Sequence, residues 1–139
     1  MFGLTIEGGV ANSGPPDVCK VPAPPAGPIP MPLVNMFMLN MANPSTAAQK
    51  VFFAGALALN VQTKFQLSSG DEAGTVGGVV SNRFIGPGSF SPNAGSPKVF
   101  VENKMAVPMG AMTFHNGDAS FNTTGTCPLA AQTKVMVSK

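Results

Sequence analysis

Apolar and polar positions along this chain alternate in short bursts, and the bursts repeat. Lys50-Val51-Phe52-Phe53, Lys98-Val99-Phe100-Val101 and Lys134-Val135-Met136-Val137 each start on a lysine and run into β-branched or bulky apolar residues, the composition of a short strand. Each follows a small, polar approach: Ala47-Ala48-Gln49, Gly95-Ser96-Pro97 and Ala131-Gln132-Thr133. The copies lie 48 and 36 residues apart. One strand written three times predicts approximate internal threefold symmetry. Residues 50–71 and 98–118 extend the repeat and close on Ser69-Gly70-Asp71 and Asn116-Gly117-Asp118, both turn sequences. The third copy breaks off at Lys139 and is expected to complete the sheet begun by the others.

Elsewhere the pattern is irregular. The run from Val21 to Pro32 holds too many prolines for a helix or a central strand, because proline lacks the amide donor. It reads as an extended strap rather than a ligand for a recognition domain, with Ile29 and Met31 packing inward. Leu33 to Met41 is apolar on both faces of any strand it forms, so it is buried on both sides or covers a partner. Its methionines read as core filling rather than as thioether copper ligands. The glycines between Gly70 and Gly78 are not followed by Gly-Lys-Ser/Thr, so close backbone packing is expected there and not phosphate binding.

Composition narrows the picture to one all-β domain spanning residues 1–139. Charged residues make up 10% of the 139 and apolar ones 44%, against roughly 25% charged in an ordinary soluble domain. Such a chain has material for a core and, with few charges, part of its outside is expected to be covered by a partner. Glycine (16) and proline (14) imply many turns and little helix, while the apolar strands argue against disorder. The net charge of +2 is scattered, so no nucleic-acid partner is expected. The N-terminus has neither a basic start nor a long apolar core, and Val51–Leu59 is too short to span a bilayer. The protein is therefore expected in the cytoplasm unless a dedicated machine exports it.

Candidate chemistry is sparse. There is one histidine, His115, and two cysteines, Cys19 and Cys127. No Gly-x-Ser-x-Gly elbow accompanies His115, and Asp71, Glu72 and Asp118 sit in turns where capping explains them, so the chain does not read as an enzyme. Cys19, His115 and Cys127 could give zinc three ligands, with Asp118, water or a backbone group as the fourth. The alternative is two free, buried cysteines, since a disulfide is disfavoured in a reducing compartment.

Several segments resemble PAAR-like spike-tip proteins: Pro16-Asp17-Val18-Cys19-Lys20 with the proline run, Ser69-Gly70-Asp71-Glu72-Ala73-Gly74, Gly77-Gly78-Val79-Val80-Ser81, Gly86-Pro87, and the strands at 96–101 and 132–137. The resemblance implies a small conical β domain whose base docks on the blunt end of the trimeric VgrG spike of a type VI secretion system, one copy per trimer. Its point would lead the needle through a target membrane, with a secreted effector or adaptor travelling alongside. Docking would fall to Lys50, Val51, Phe52, Lys98, Val99, Phe100, Lys134, Val135 and Met136. The wider family holds zinc near its point with three histidines and a cysteine, a set this chain cannot supply with one histidine. The Pro-Ala-Ala-Arg signature is also absent; Ala56–Leu59 and Met105–Pro108 stand in its place. A tip protein of another phage-like contractile injection device and a small zinc-binding module are the rival readings.

Overall fold

A computed structural model describes residues 2–14, 17–25, 27–85, 87–117, 120–130 and 132–137. The strands follow in chain order as β1 (Val10–Ser13), β2 (Asp17–Val21), β3 (Ile29–Leu33), β4 (Met36–Met38), β5 (Phe52–Phe53), β6 (Ala56–Leu57) and β7 (Lys64–Phe65). They continue as β8 (Gly77–Gly78), β9 (Gly88–Phe90), β10 (Phe100–Val101), β11 (Lys104–Met105), β12 (Met112–His115) and β13 (Thr123–Thr126). The only helical pieces among the described residues are two single 3₁₀ turns, at Leu39–Met41 and Pro44–Thr46. The fold is all-β, as composition and turn density predict.

Six strands form one antiparallel sheet in the order β4-β1-β13-β12-β9-β7. Bridges Ala42↔Phe65 and Met36↔Ser69 tie its two edges together, so the sheet nearly closes and the molecule takes a compact conical shape. Inside it, Phe37 stacks on Phe65 with ring centroids 4.5 Å apart, and Phe90 meets Phe65 edge-on at 5.5 Å. Leu4, Leu39, Leu59, Val107 and Cys127 complete this core. A second sheet, β3-β2-β8, lies beside it. The proline-rich β3 occupies the edge of that sheet, where missing amide donors cost nothing.

The three Lys-Val segments are equivalent in space. Lys50, Lys98 and Lys134 are exposed; Val51, Val99 and Val135 are half-buried; Phe52, Phe100 and Met136 are exposed; Phe53, Val101 and Val137 are buried. Two of the segments turn back as hairpins, β5–β6 through Ala54-Gly55 and β10–β11 through Glu102-Asn103. All four loop residues have positive φ, the geometry of the type I′ turn that suits a two-residue hairpin. The third segment is partnered instead by residues near the N-terminus: Met136 bridges Phe2 as Phe52 pairs Leu57 and Phe100 pairs Met105.

Residues 2–6, 57–61 and 105–109 are thus three copies of one arm, and their hydrogen bonds repeat. The Gly3, Ala58 and Ala106 amides donate to Val135, Val51 and Val99 carbonyls; the Ile6, Val61 and Met109 amides donate to Leu57, Met105 and Phe2. At the centre the bonds close on themselves. The Leu4 amide donates to Val107 (2.9 Å), Val107 to Leu59 (3.3 Å) and Leu59 to Leu4 (3.1 Å). This ring marks a pseudo-threefold axis. Phe53, Val101 and Val137 pack around it with Ala58 and Ala106 as a second apolar cluster, flanked by the three valines.

Two expectations are corrected. Ile29 and Met31 point outward from β3 (43% and 45% exposed), because β3 pairs only with β2 and presents that row to solvent. The methionines of the 33–41 segment are not core filling either: Met36, Met38 and Met41 are exposed, while Asn35, Phe37 and Leu39 turn inward.

Candidate docking face and buried polar centre

Two features stand out from the scaffold, one on the surface and one inside. On the surface, Phe52, Phe100 and Met136 are 57%, 61% and 66% exposed. They occupy equivalent positions around the threefold axis, each beside an exposed lysine. The alternation along each strand makes this unavoidable: turning Phe53, Val101 and Val137 into the apolar cluster turns their predecessors outward. Of the nine residues singled out from the sequence, the three lysines with Phe52, Phe100 and Met136 are exposed, while Val51, Val99 and Val135 are half-buried against the second apolar cluster.

Inside, a polar network threads between the two sheets. His115, at the end of β12, is fully buried with its ring 4.9 Å from that of Phe37. Its Nδ1 lies 2.7 Å from Asn35 Oδ1 and its Nε2 lies 3.0 Å from Thr113 Oγ1. Asn35 turns its amide nitrogen to Asp71 Oδ2 (2.6 Å), so its oxygen must accept from His115. The histidine is therefore the neutral tautomer with hydrogen on Nδ1, accepting from Thr113 at Nε2. Burial lowers its pKa to about 4. Gly125 is required opposite it, since a Cβ there would fall 2.0 Å from Asn12 O and 2.8 Å from His115 Nε2.

The network continues through the carboxylates. Asn116 donates from Nδ2 to Asp17 Oδ2 and to Asp71 Oδ2, each at 2.6 Å, and Asn122 Nδ2 donates to Asp17 Oδ1 and to the Val18 carbonyl. Asp17, Asp71 and Cys19 are fully buried, and their ligand-capable atoms all lie within 4.8 Å of one another. Burial first, and then the neighbouring Asp71, raise the Asp17 pKa to about 7 against the lowering effect of Asn122. Burial and the two carboxylates push the Cys19 thiol up to about 12. The glycine loop closes the centre by contact: a Cβ on Gly74 would sit 2.3 Å from Cys19 Cβ, and one on Gly78 would sit 2.4 Å from Asn122. This is the close packing that the glycines predict.

The zinc set expected from Cys19, His115 and Cys127 is not assembled. Cys127 belongs to the apolar core, where its thiol donates to the Leu129 carbonyl (3.5 Å) and burial raises its pKa to about 11. Both ring nitrogens of His115 are engaged, and Asp118 lies outside the described residues. Cys19 alone joins a group that could hold a metal, with Asp17 and Asp71. Sequence reasoning had those two carboxylates in motifs but assigned Asp71 to turn capping. Their recurrence in the segments that carry the family resemblance was the available signal.

A model of the toxin PAAR-like domain family matches residues 10–125, most of the chain. The chain belongs to the PAAR-like family. No curated protein and no solved structure matches it significantly. The family is associated with type VI secretion spikes and their toxins, and it is structural rather than enzymatic. The matched span contains the whole polar centre and two of the three arms. The third arm, built from residues at both ends, lies outside it.

Proposed function

We propose that this PAAR-like protein caps the trimeric VgrG spike of a type VI secretion system, one copy per trimer. The observation that carries the reading is the equivalence of Phe52, Phe100 and Met136 around a pseudo-threefold axis. A monomer has no need of three matched apolar projections, whereas a threefold partner offers three matched pockets. Aromatic and methionine side chains anchored in pockets supply most of the affinity of such an interface. Val51, Val99 and Val135 hold the projecting residues from beneath. Lys50, Lys98 and Lys134 form a basic rim that suits an acidic edge on the trimer and tunes association rate more than affinity.

The action is mechanical. A nearly closed sheet with a packed interior resists deformation, so a cone seated on a spike concentrates force on a small area of target membrane. The protein stays in the cytoplasm until firing carries it out, together with an effector or adaptor. The metal that goes with this reading is zinc, the ion held by the wider family. No helix among the described residues is long and apolar enough to cross a membrane.

The test is co-purification with candidate spike trimers. Wild-type protein should bind at one copy per trimer. Replacing Phe52, Phe100 and Met136 together by serine should weaken binding by about a hundredfold or more while leaving the melting curve in place. A triple variant that binds as tightly as wild type would sink the assignment. Binding instead to the tail spike of another contractile device would keep the docking face and move the protein to that machine.

A further inference from the structure

We infer that Asp17, Cys19 and Asp71 bind a single zinc-class divalent ion through two carboxylates and a thiolate, a ligand set without histidine. The inference gives residues to the zinc clause of the proposed function and is independent of docking. Three observations carry it. The candidate ligand atoms lie within 4.8 Å of one another, with no part of the three residues open to solvent. Asp71 Oδ1 is buried and has no hydrogen-bond partner, although buried carboxylate oxygens are ordinarily satisfied. Lastly, the surrounding amides are locked in one orientation.

Asn35 Oδ1 is taken by His115, Asn116 Oδ1 by the Ser68 hydroxyl (3.2 Å), and Asn122 Oδ1 by the Val80 and Ser81 amides. None of the three can flip without losing those partners, so all three NH₂ groups face Asp17 and Asp71. Asp71 accepts amide N–H bonds on Oδ2 and leaves Oδ1 bare, while Asp17 accepts on both oxygens; the amides thus form an outer shell that orients the two carboxylates, with Asp71 Oδ1 as the free ligand atom. Two carboxylates and a sulfur suit a borderline ion such as zinc better than calcium or magnesium, which prefer all-oxygen cages. Binding takes the place of the Cys19 thiol proton, which leaves to solvent. No fourth His, Cys, Asp or Glu among the described residues joins the group, so water would complete the shell. The ion would pin β2 to the 68–74 loop, joining the small sheet to the large one.

Titration of chelator-stripped protein with Zn²⁺, and separately with Co²⁺, tests this. One ion per chain is expected, with a thiolate-to-cobalt charge-transfer band and a melting temperature raised by Zn²⁺. Cys19→Ser should abolish the band, and the near-isosteric Asp71→Asn should weaken Zn²⁺ binding by at least about tenfold. Cys127→Ser should change neither. A folded wild type that takes up neither ion overturns the inference, as does binding that survives both Cys19→Ser and Asp71→Asn. Loss of the band in Cys127→Ser would point to the other cysteine and overturn it equally. If Asp71→Asn fails to fold, the wild-type stoichiometry and the Cys19→Ser spectrum still decide. Spike co-purification run on the same preparations separates failure here from failure of the docking reading.

Discussion

The candidate docking face and the polar centre are built in opposite ways. The face is one four-residue segment used three times, with each copy keeping the same order of exposed, half-buried, exposed and buried positions. The centre uses each residue once. It joins Asp17 to Asn116 across 99 positions, His115 to Asn35 across 80 and Asn122 to Asp17 across 105. A surface that meets a symmetric partner gains from repetition. A buried network of charges needs each lone pair answered by a particular donor, and repetition offers no help there.

The difference predicts different sensitivities. The largest effect belongs to the centre. Asn116→Leu removes the donors to both carboxylates and leaves them buried and less well satisfied, so a loss of about 3–5 kcal/mol in chemical unfolding is expected. A loss below about 1 kcal/mol would mean that the network is dispensable.

Next comes the dependence on pH, measured with chelator present. His115 titrates near 4 when folded against an ordinary 6.5. The unfolded chain therefore binds the proton first, and this histidine contributes stability that is full above pH 6.5 and falls as pH drops towards 4. The full effect is up to about 3 kcal/mol. Asp17 acts in the opposite sense: its folded pKa of about 7 against 3.8 means that the folded state holds the proton more tightly, so acidification from 7 to 4 stabilises. The two offset each other in the wild type. His115→Gln should expose the Asp17 slope, making the variant gain stability relative to wild type as pH falls from 6.5 to 4. Parallel pH profiles would contradict this.

A smaller effect probes how good the threefold symmetry is. Gly3 stands where the other arms have Ala58 and Ala106, and a Cβ at Gly3 would lie 2.8 Å from the Phe53 ring and 2.9 Å from Val137 Cγ2. Phe53 in turn stands where the other copies have Val101 and Val137. The large ring and the missing methyl compensate one another. Gly3→Ala should cost about 1–3 kcal/mol by overpacking, and adding Phe53→Val should recover part of it. Strictly additive losses in that double-mutant cycle would refute the compensation. The smallest effect is expected at the face: Phe52→Ser alone should shift stability by no more than about 0.5 kcal/mol, measured by thermal melting, since its ring is mostly in water.

The symmetry was legible because strand periodicity is local: a residue's side on a strand follows from its parity, so three similar strings give three similar surfaces. All-β architecture followed equally directly from turn density and the shortage of helical pattern. Completion of the third arm was only half legible. Phe2-Gly3-Leu4-Thr5 resembles Leu57-Ala58-Leu59-Asn60, but only when the chain is read as a circle, and the C-terminal copy in isolation looks truncated. The outward turn of Met36, Met38 and Met41 was not legible, since an apolar run does not say which of its faces the neighbouring strands leave bare.

By itself, then, the sequence determined the all-β class and the threefold repetition of the Lys-Val segments. Only the tertiary structure decided that the two chain ends close the third arm, that Cys127 and His115 part company from Cys19, and that Asp71 joins Asp17 beside it. The physical reason is range. Strand faces are set by steric and hydrophobic preferences between near neighbours, whereas a buried polar centre is set by which distant backbone segments the closing sheet brings within hydrogen-bond reach.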